Sequence, residues 1–159
     1  MKIGFYAGSF DPFTNGHLHV VKRSAELFDK VIIGIGINSQ KSRRYHQDII
    51  KQAIEKLLKR ENLDNVSVIL YSDLSISIAK QQDTTFFIRG IRNGMDYDYE
   101  ENIALINEEL SGIDTIYIRA GKYGAISSSI VSEFMNYGQD ISNLVPQEIY
   151  EIMLKNKPL

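Results

Sequence analysis

The sequence predicts an α/β fold, one doubly wound domain over residues 1–159 with a five-stranded parallel sheet and helices on both faces. Three observations carry this. Short apolar, β-branched runs alternate along the chain with stretches whose apolar residues recur at helical spacing. No repeat, low-complexity tract or linker-like segment interrupts the alternation. With 159 residues, 43% of them hydrophobic, the chain has enough apolar surface to bury a core. Strands that alternate with helices pair in parallel, because each parallel pair needs a crossover connection.

The elements follow in order. Ile3–Ala7 reads as the first strand, and Leu18, Val21, Ala25 and Phe28 give the first helix its apolar stripe. Val31–Ile37 is strongly β-branched and forms the second strand. A helix over about 48–60 turns Ile50, Ile54, Leu57 and Leu58 to one side. Val66–Tyr71 is the third strand, 75–81 a short helix, and Thr84–Ile88 the fourth strand. The segment Tyr97–Leu110 is helical, with Tyr99, Ile103, Ile106 and Leu110 in one row. Thr115–Arg119 is the fifth strand and Ile126–Tyr137 a helix, where Ile130, Val131, Phe134 and Met135 make an apolar face. The last helix, Gln147–Lys155, is entered through Pro146, whose fixed φ and missing N–H suit a helix start.

In such sheets ligands bind beyond the carboxyl ends of the strands. The first strand runs into Ser9-Phe10-Asp11-Pro12-Phe13-Thr14-Asn15-Gly16-His17. A glycine and a histidine there stand where a helix begins, with free N–H groups and the positive end of its dipole. Gly16 leaves room for a phosphate, and the His17 imidazole supplies a donor to developing charge. Lys41, Arg43 and Arg44 follow the second strand; Ser72, Asp73 and Leu74 follow the third. The fourth gives Arg89-Gly90-Ile91-Arg92, whose guanidiniums fork onto phosphate oxygens or pair with Asp96, Asp98 or Glu100. After the fifth come Ala120, Gly121, Lys122 and then Ser127-Ser128-Ser129, where one serine serves as an N-cap and the others suit phosphates. Glu100 and Asn107 share a helix face. His19 and His46 read as solvated or packing residues. The rim thus collects hydroxyls, cations and glycines, as a polyphosphate site requires.

Composition removes other classes. A net charge of −2 gives no basic field for nucleic acid. The absence of cysteine excludes disulfides, a thiol nucleophile and thiolate metal ligands. No protein-ligated metal site is expected from three scattered histidines. Neither a membrane-spanning run nor a signal-peptide pattern is present, so a cytoplasmic location is expected. P-loop, G-x-G-x-x-G and G-x-S-x-G patterns are missing, which weighs against P-loop, dinucleotide-redox and serine-hydrolase chemistry.

The pieces Gly8-Ser9-Phe10-Asp11-Pro12, Thr14-Asn15-Gly16-His17, Lys41, Ile88-Arg89-Gly90-Ile91-Arg92, Asp96-Tyr97-Asp98-Tyr99-Glu100 and Ile126-Ser127-Ser128-Ser129 resemble the phosphopantetheine adenylyltransferase family over essentially the full length. This family belongs to the T/HxGH nucleotidylyltransferase superfamily, with a Rossmann-like fold. The resemblance implies transfer of AMP from ATP to 4′-phosphopantetheine, giving dephospho-coenzyme A and pyrophosphate without a covalent intermediate. It implies that His17, Lys41, Arg89 and Ser9 are catalytic. It assigns ATP to Ser9, Phe10, His17, Gly90, Ile91, Arg92, Glu100, Tyr123, Gly124, Ala125, Ile126, Ser127, Ser128 and Ser129. It assigns the acceptor to Ser9, Lys41, Leu74, Ser75, Arg89 and Asn107. Mg²⁺ carried on the ATP phosphates, feedback by coenzyme A and a homohexamer are implied as well. The run Tyr45-His46-Gln47-Asp48-Ile49-Ile50 departs from the family's usual aromatic, hydroxyl and Glu-Glu-Arg-like sequence. Two alternatives stay open on sequence alone. One is a nucleotidylyltransferase acting on nicotinate mononucleotide or using CTP; the other is a non-catalytic nucleotide-binding domain.

Overall fold

The computed structural model describes residues 1–156; the last three positions of the expected domain lie outside the described residues. Strands β1 (Ile3–Gly8), β2 (Lys30–Gly36), β3 (Val66–Tyr71), β4 (Phe86–Ile91) and β5 (Asp114–Arg119) pair in parallel in the order β3-β2-β1-β4-β5. The helices are α1 (Asn15–Leu27), α2 (Gln47–Arg60), α3 (Ser75–Gln81), α4 (Gly94–Ser111), α5 (Ser128–Asn136) and α6 (Gln147–Lys155), with a 3-10 turn at Gly121–Tyr123. The chain winds outward from β1 to β3, then returns across the sheet to β4 on the other side of β1. Strand order reverses there, and the connections leaving β1 and β4 diverge to open a crevice.

Side-chain alternation divides the core in two. Tyr6, Val31, Ile33, Ile35, Ile88 and Ile118 point to one face, under Val20 and Val21 of α1, Ile50, Ile54 and Leu57 of α2, Val131 of α5 and Ile149 and Met153 of α6. Ile3, Phe5, Ile32 and Phe87 point to the other, against Ala79 of α3 and Ile113. The smaller layer is centred on Phe5, which meets Tyr71 and Phe87 edge-on at 5.8 and 6.2 Å between ring centroids. The Phe5 ring fills the space beside Gly34, where an added Cβ would stand 2.5 Å from Phe5 Cζ.

Several element ends differ from the sequence expectation, among them the start of α5, at Ser128 and not Ile126, and of β4, at Phe86 and not Thr84; three more bear on the site. The fourth strand runs to Ile91, so Arg89, Gly90 and Ile91 lie within it and not after it. Their register against Tyr117, Ile118 and Arg119 of β5 carries the ladder past the apolar run. α1 begins at Asn15, which puts His17 inside its first turn. α4 begins at Gly94, because the Asn93 side chain accepts from the Asp96 N–H and caps it.

Apolar faces also differ. Tyr99, Ile103, Ile106 and Leu110 are turned outward and exposed, whereas Glu100 and Ala104 are the buried residues of α4. In α5, Val131 is buried while Ile130 and Phe134 are exposed. The atypical 45–50 segment still starts α2 well. Tyr45 is buried, His46 Nδ1 accepts from the Asp48 N–H as N-cap, and Asp48 lies in the positive first turn.

Phe5→Ala removes the central ring of the thinner layer and is expected to cost about 3–5 kcal/mol of unfolding free energy. Urea denaturation monitored by circular dichroism checks this; a loss below about 1 kcal/mol would mean that the layer collapses around the gap.

Candidate functional site

Two cavities open at the carboxyl ends of β1 and β4. The first, about 290 Å³, is lined by Tyr6, Ser9, Phe10, Thr14, Gly16 and His17 from the first strand and its loop. Arg89, Gly90, Arg92, Asp96 and Glu100 line it from β4 and α4, and Tyr123, Ile126, Ser127 and Ser128 from the approach to α5. The second, about 220 Å³, is lined by Tyr71, Ser75, Phe87, Ile103, Ala104, Asn107 and Thr115. Ala7, Gly8, Arg89 and Glu100 belong to both.

His17 is oriented by a local backbone device. Thr14 is the N-cap of α1 and His17 stands three residues later, where a capping box normally carries glutamate or glutamine. The Thr14 N–H donates to His17 Nδ1 at 2.9 Å, and the His17 N–H donates to Thr14 Oγ1 at 3.4 Å. An Nδ1 that accepts a backbone N–H carries a lone pair, so the ring proton is on Nε2. Phe10 and Phe13 enclose the ring at 5.0 and 5.4 Å between centroids. Phe10 reaches that position through a left-handed backbone, φ 48°, a conformation that non-glycine residues seldom adopt. Burial, and then the nearby charges of Arg89 and Arg92, push the His17 pKa down to about 3. The imidazole is therefore neutral at physiological pH and presents one donor.

Arg89 stands between the cavities. Its Nε and Nη2 donate to the two Glu100 oxygens at 2.7 and 2.8 Å, and its Nη1 donates to the Ala7 carbonyl. Burial opposes its charge, but the Glu100 hydrogen bonds and charge outweigh that and hold its pKa above the ordinary value. A guanidinium has five N–H donors, and these three contacts leave one on each terminal nitrogen for a ligand. Arg92 pairs with Asp96 through Nε and Nη2 at 2.9 and 3.1 Å. That hydrogen bonding holds the Asp96 carboxyl below its usual range.

The three serines have separate tasks in the fold. Ser127 Oγ accepts from the Ile130 N–H at 3.1 Å as the N-cap of α5. Ser128 Oγ donates to the Pro12 carbonyl at 2.7 Å, and Ser129 Oγ accepts from Arg44 Nη2 at 3.3 Å. First-turn N–H groups, Ser128 and Ser129 among them, have no acceptor within the helix and remain available to an anion.

The cavities thus unite most of the expected residues. Ser9, Phe10, His17, Arg89, Gly90, Arg92, Glu100, Tyr123, Ile126, Ser127 and Ser128 line the first, while Ser75, Arg89, Glu100 and Asn107 line the second. Ile91, Gly124, Ala125 and Ser129 adjoin the first cavity in sequence without lining it, and Leu74 is exposed at the start of α3. Lys41 is exposed and lines a separate hollow with Asn38, Arg43 and Arg44. Tyr6, Tyr71, Thr115 and Asp96 were not assigned from sequence. The first three are strand residues that no motif marks; Asp96 stands four residues after Arg92, an ion-pair spacing. His19 packs on Tyr123, 5.3 Å between ring centroids.

Among the described residues no three His, Cys, Asp or Glu side chains converge on a point. The two cavity carboxylates, Asp96 and Glu100, are each committed to an arginine. A divalent cation fits this donor set only as the companion of a polyphosphate that brings its own oxygens. No helix among the described residues is long and apolar enough to cross a membrane.

Comparison with known proteins agrees with this geometry. The profile of the cytidylyltransferase-like family matches residues 5–134. Phosphopantetheine adenylyltransferase from Porphyromonas gingivalis is 40% identical over 147 residues, 92% of this chain and 95% of the relative. The enzyme of that name from Cytophaga hutchinsonii is 41% identical over 150 residues, 93% of this chain and 99% of the relative. That from Streptococcus pneumoniae is 41% identical over 159 residues, 98% and 97% of the two chains. A crystal structure from Vibrio parahaemolyticus, provisionally named a nicotinate-nucleotide adenylyltransferase, superposes with a TM-score of 0.71 at 21% identity, covering 97% of this chain and 99% of that one. The last likeness shows the fold alone, a Rossmann-like one. Taken with the near-full-length identities, the strand order and the His17–Arg89 cavity show that the chain belongs to the phosphopantetheine adenylyltransferases, nucleotidyltransferases of coenzyme A biosynthesis.

Proposed function

We propose that the chain, acting as a single domain over residues 1–159, joins ATP to 4′-phosphopantetheine at these two cavities, releasing dephospho-coenzyme A and pyrophosphate. One observation carries the assignment of the cavities: Arg89 borders both and keeps a free N–H on each terminal nitrogen. ATP takes the first cavity. Arg92, Gly90, Ile91 and Glu100 hold it on one side, Ser9 and Phe10 beneath it, and Tyr123, Gly124, Ala125, Ile126, Ser127, Ser128 and Ser129 along the approach to α5. The pantetheine arm takes the second cavity, along Leu74, Ser75 and Asn107. Its phosphate reaches the α-phosphorus past Arg89, and Lys41, on the loop after β2, binds that phosphate as well.

An oxygen of the acceptor phosphate attacks the α-phosphorus in line. The new P–O bond forms as the bond to the β-phosphate bridging oxygen breaks, and that electron pair leaves with pyrophosphate. The nucleophile is already an anion, so no general base is needed. The task of the protein is to hold two anions together and offset their repulsion. His17 donates Nε2–H to an α-phosphate oxygen, whose charge grows in the transition state. A Mg²⁺ ion, held by the ATP phosphates and water and not by side chains of this chain, would supply charge neutralisation for the leaving pyrophosphate. Coenzyme A, which contains both substrate moieties, competes for the same cavities. The enzyme works in the cytoplasm as a homohexamer, and the exposed apolar row Tyr99, Ile103, Ile106 and Leu110 on α4 supports assembly through that face.

Pyrophosphate release from ATP on addition of 4′-phosphopantetheine, and not of nicotinate mononucleotide, is the direct test. In that assay His17→Ala is expected to lower kcat about a hundredfold or more, with ATP affinity changed far less. Loss of ATP binding with intact single-turnover chemistry would refute the transition-state role.

The depressed His17 pKa fixes the sign of its pH dependence. Native His17 is neutral down to about pH 3, whereas in the unfolded chain it protonates near its ordinary value, about 6.5. Its contribution to stability is complete above about pH 6.5 and declines as pH falls towards 3. Histidine NMR of the free enzyme is expected to show a flat His17 signal from pH 8 to 5; a titration centred in that range would contradict the neutral-donor state.

Sedimentation velocity is expected to show hexamers, and Ile106→Glu, which puts charge into the exposed α4 row, is expected to dissociate them. A wild-type monomer at micromolar concentration would overturn the assembly.

A further inference from the structure

Asp11 is buried, 8% exposed, and is used by neither cavity. Its carboxylate accepts the Arg44 N–H at 2.7 Å through Oδ2 and the Tyr45 N–H at 2.8 Å through Oδ1. The same contact is tied a second time from the other side, since Arg44 Nη1 donates to the Asp11 carbonyl at 2.8 Å. Arg43 Nη2 approaches Asp11 Oδ1 at 3.9 Å, and Arg43 Nε donates to the Tyr45 carbonyl at 2.9 Å. Through Nη2 on Ser129 Oγ, Arg44 extends this strap to the start of α5.

These bonds fix the far root of the loop that carries Lys41. Its near root is held by the Ile37 N–H on the Tyr71 carbonyl at 2.8 Å. Between the roots, the Gln40 N–H donates to Asn38 Oδ1 and the Lys41 N–H to the Asn38 carbonyl, both at 3.0 Å and both internal to the loop. Asp11 stands two residues after Ser9 and six before His17, so one carboxylate joins the His17 loop to the Lys41 loop. Charge-assisted hydrogen bonds to two backbone N–H groups are short and directional, which suits a positional task.

We propose that Asp11 is a positioning residue which sets where Lys41 stands relative to the His17–Arg89 cavity. The inference rests on the role given to Lys41 in the proposed reaction. Asp11 touches no reacting atom; it acts through the loop.

A double-mutant cycle of Asp11→Asn and Lys41→Ala tests it, with kcat/KM for 4′-phosphopantetheine as readout, well below the melting temperature of each variant. Asp11→Asn keeps the shape but opposes an amide NH₂ to one of the two backbone donors. It is expected to lower kcat/KM by about tenfold or more alone, and by less than about twofold in the Lys41→Ala background. A general loss of packing would not depend on the residue at position 41, so additive effects would overturn the inference while leaving the Lys41 reading intact. Lys41→Ala with unchanged phosphopantetheine turnover would overturn both. Should Asp11→Asn be insoluble, Arg44→Met, which removes the side-chain strap alone, takes its place in the cycle and decides by the same criterion.

Discussion

The Thr14 N–H bond to His17 Nδ1 is the contact on which the proposed chemistry depends. A capping box satisfies two orphan groups at a helix start with side chains three residues apart. Here the side chain that reaches back is an imidazole, so one local device begins α1, fixes the ring's orientation and chooses its tautomer. Burial and two arginines then keep the ring uncharged. The result is a single N–H donor fixed before any ligand arrives, the form of electrostatic preorganisation that lowers a barrier without reorganisation.

Strand order gives that donor its partners. Because the chain reverses at β1, the loop after β1 and the end of β4 lie side by side although Arg89 is 72 residues from His17 in sequence. Arg89 occupies the line between two cavities, and Glu100 holds its fork in place without using all its donors. A lysine there would lack the planar fork needed to serve a carboxylate and a carbonyl together and still keep donors free. The Arg89–Glu100 pair is costly to bury and so is weak as a stabiliser; its value is geometric.

Much of the fold was legible because its causes are local. β-Branched runs, helical spacing and the Pro146 entry to α6 placed all five strands and six helices. The misplaced ends show where local signals stop. Arg89-Gly90-Ile91 carries no strand pattern, and only pairing with β5 extends β4 through it. The row Tyr99, Ile103, Ile106 and Leu110 reads as a core stripe, yet α4 buries Glu100 and Ala104 because Glu100 is drawn inward by Arg89.

For the site, the sequence by itself determined the chemical inventory: His17 at a helix start, two arginines around Gly90, and three serines before α5. Motif spacing within one loop or helix turn is enough for that, since neighbours within about four residues are fixed by local geometry. Only the folded chain settles that His17 is buried and neutral, that Arg89 is shared by two cavities, and that Ser128 and Ser129 reach Pro12 and Arg44. It also settles that Asp11 grips a loop 33 residues away. Each of these depends on burial or on a partner from a distant segment, and neither is in place until the sheet has formed.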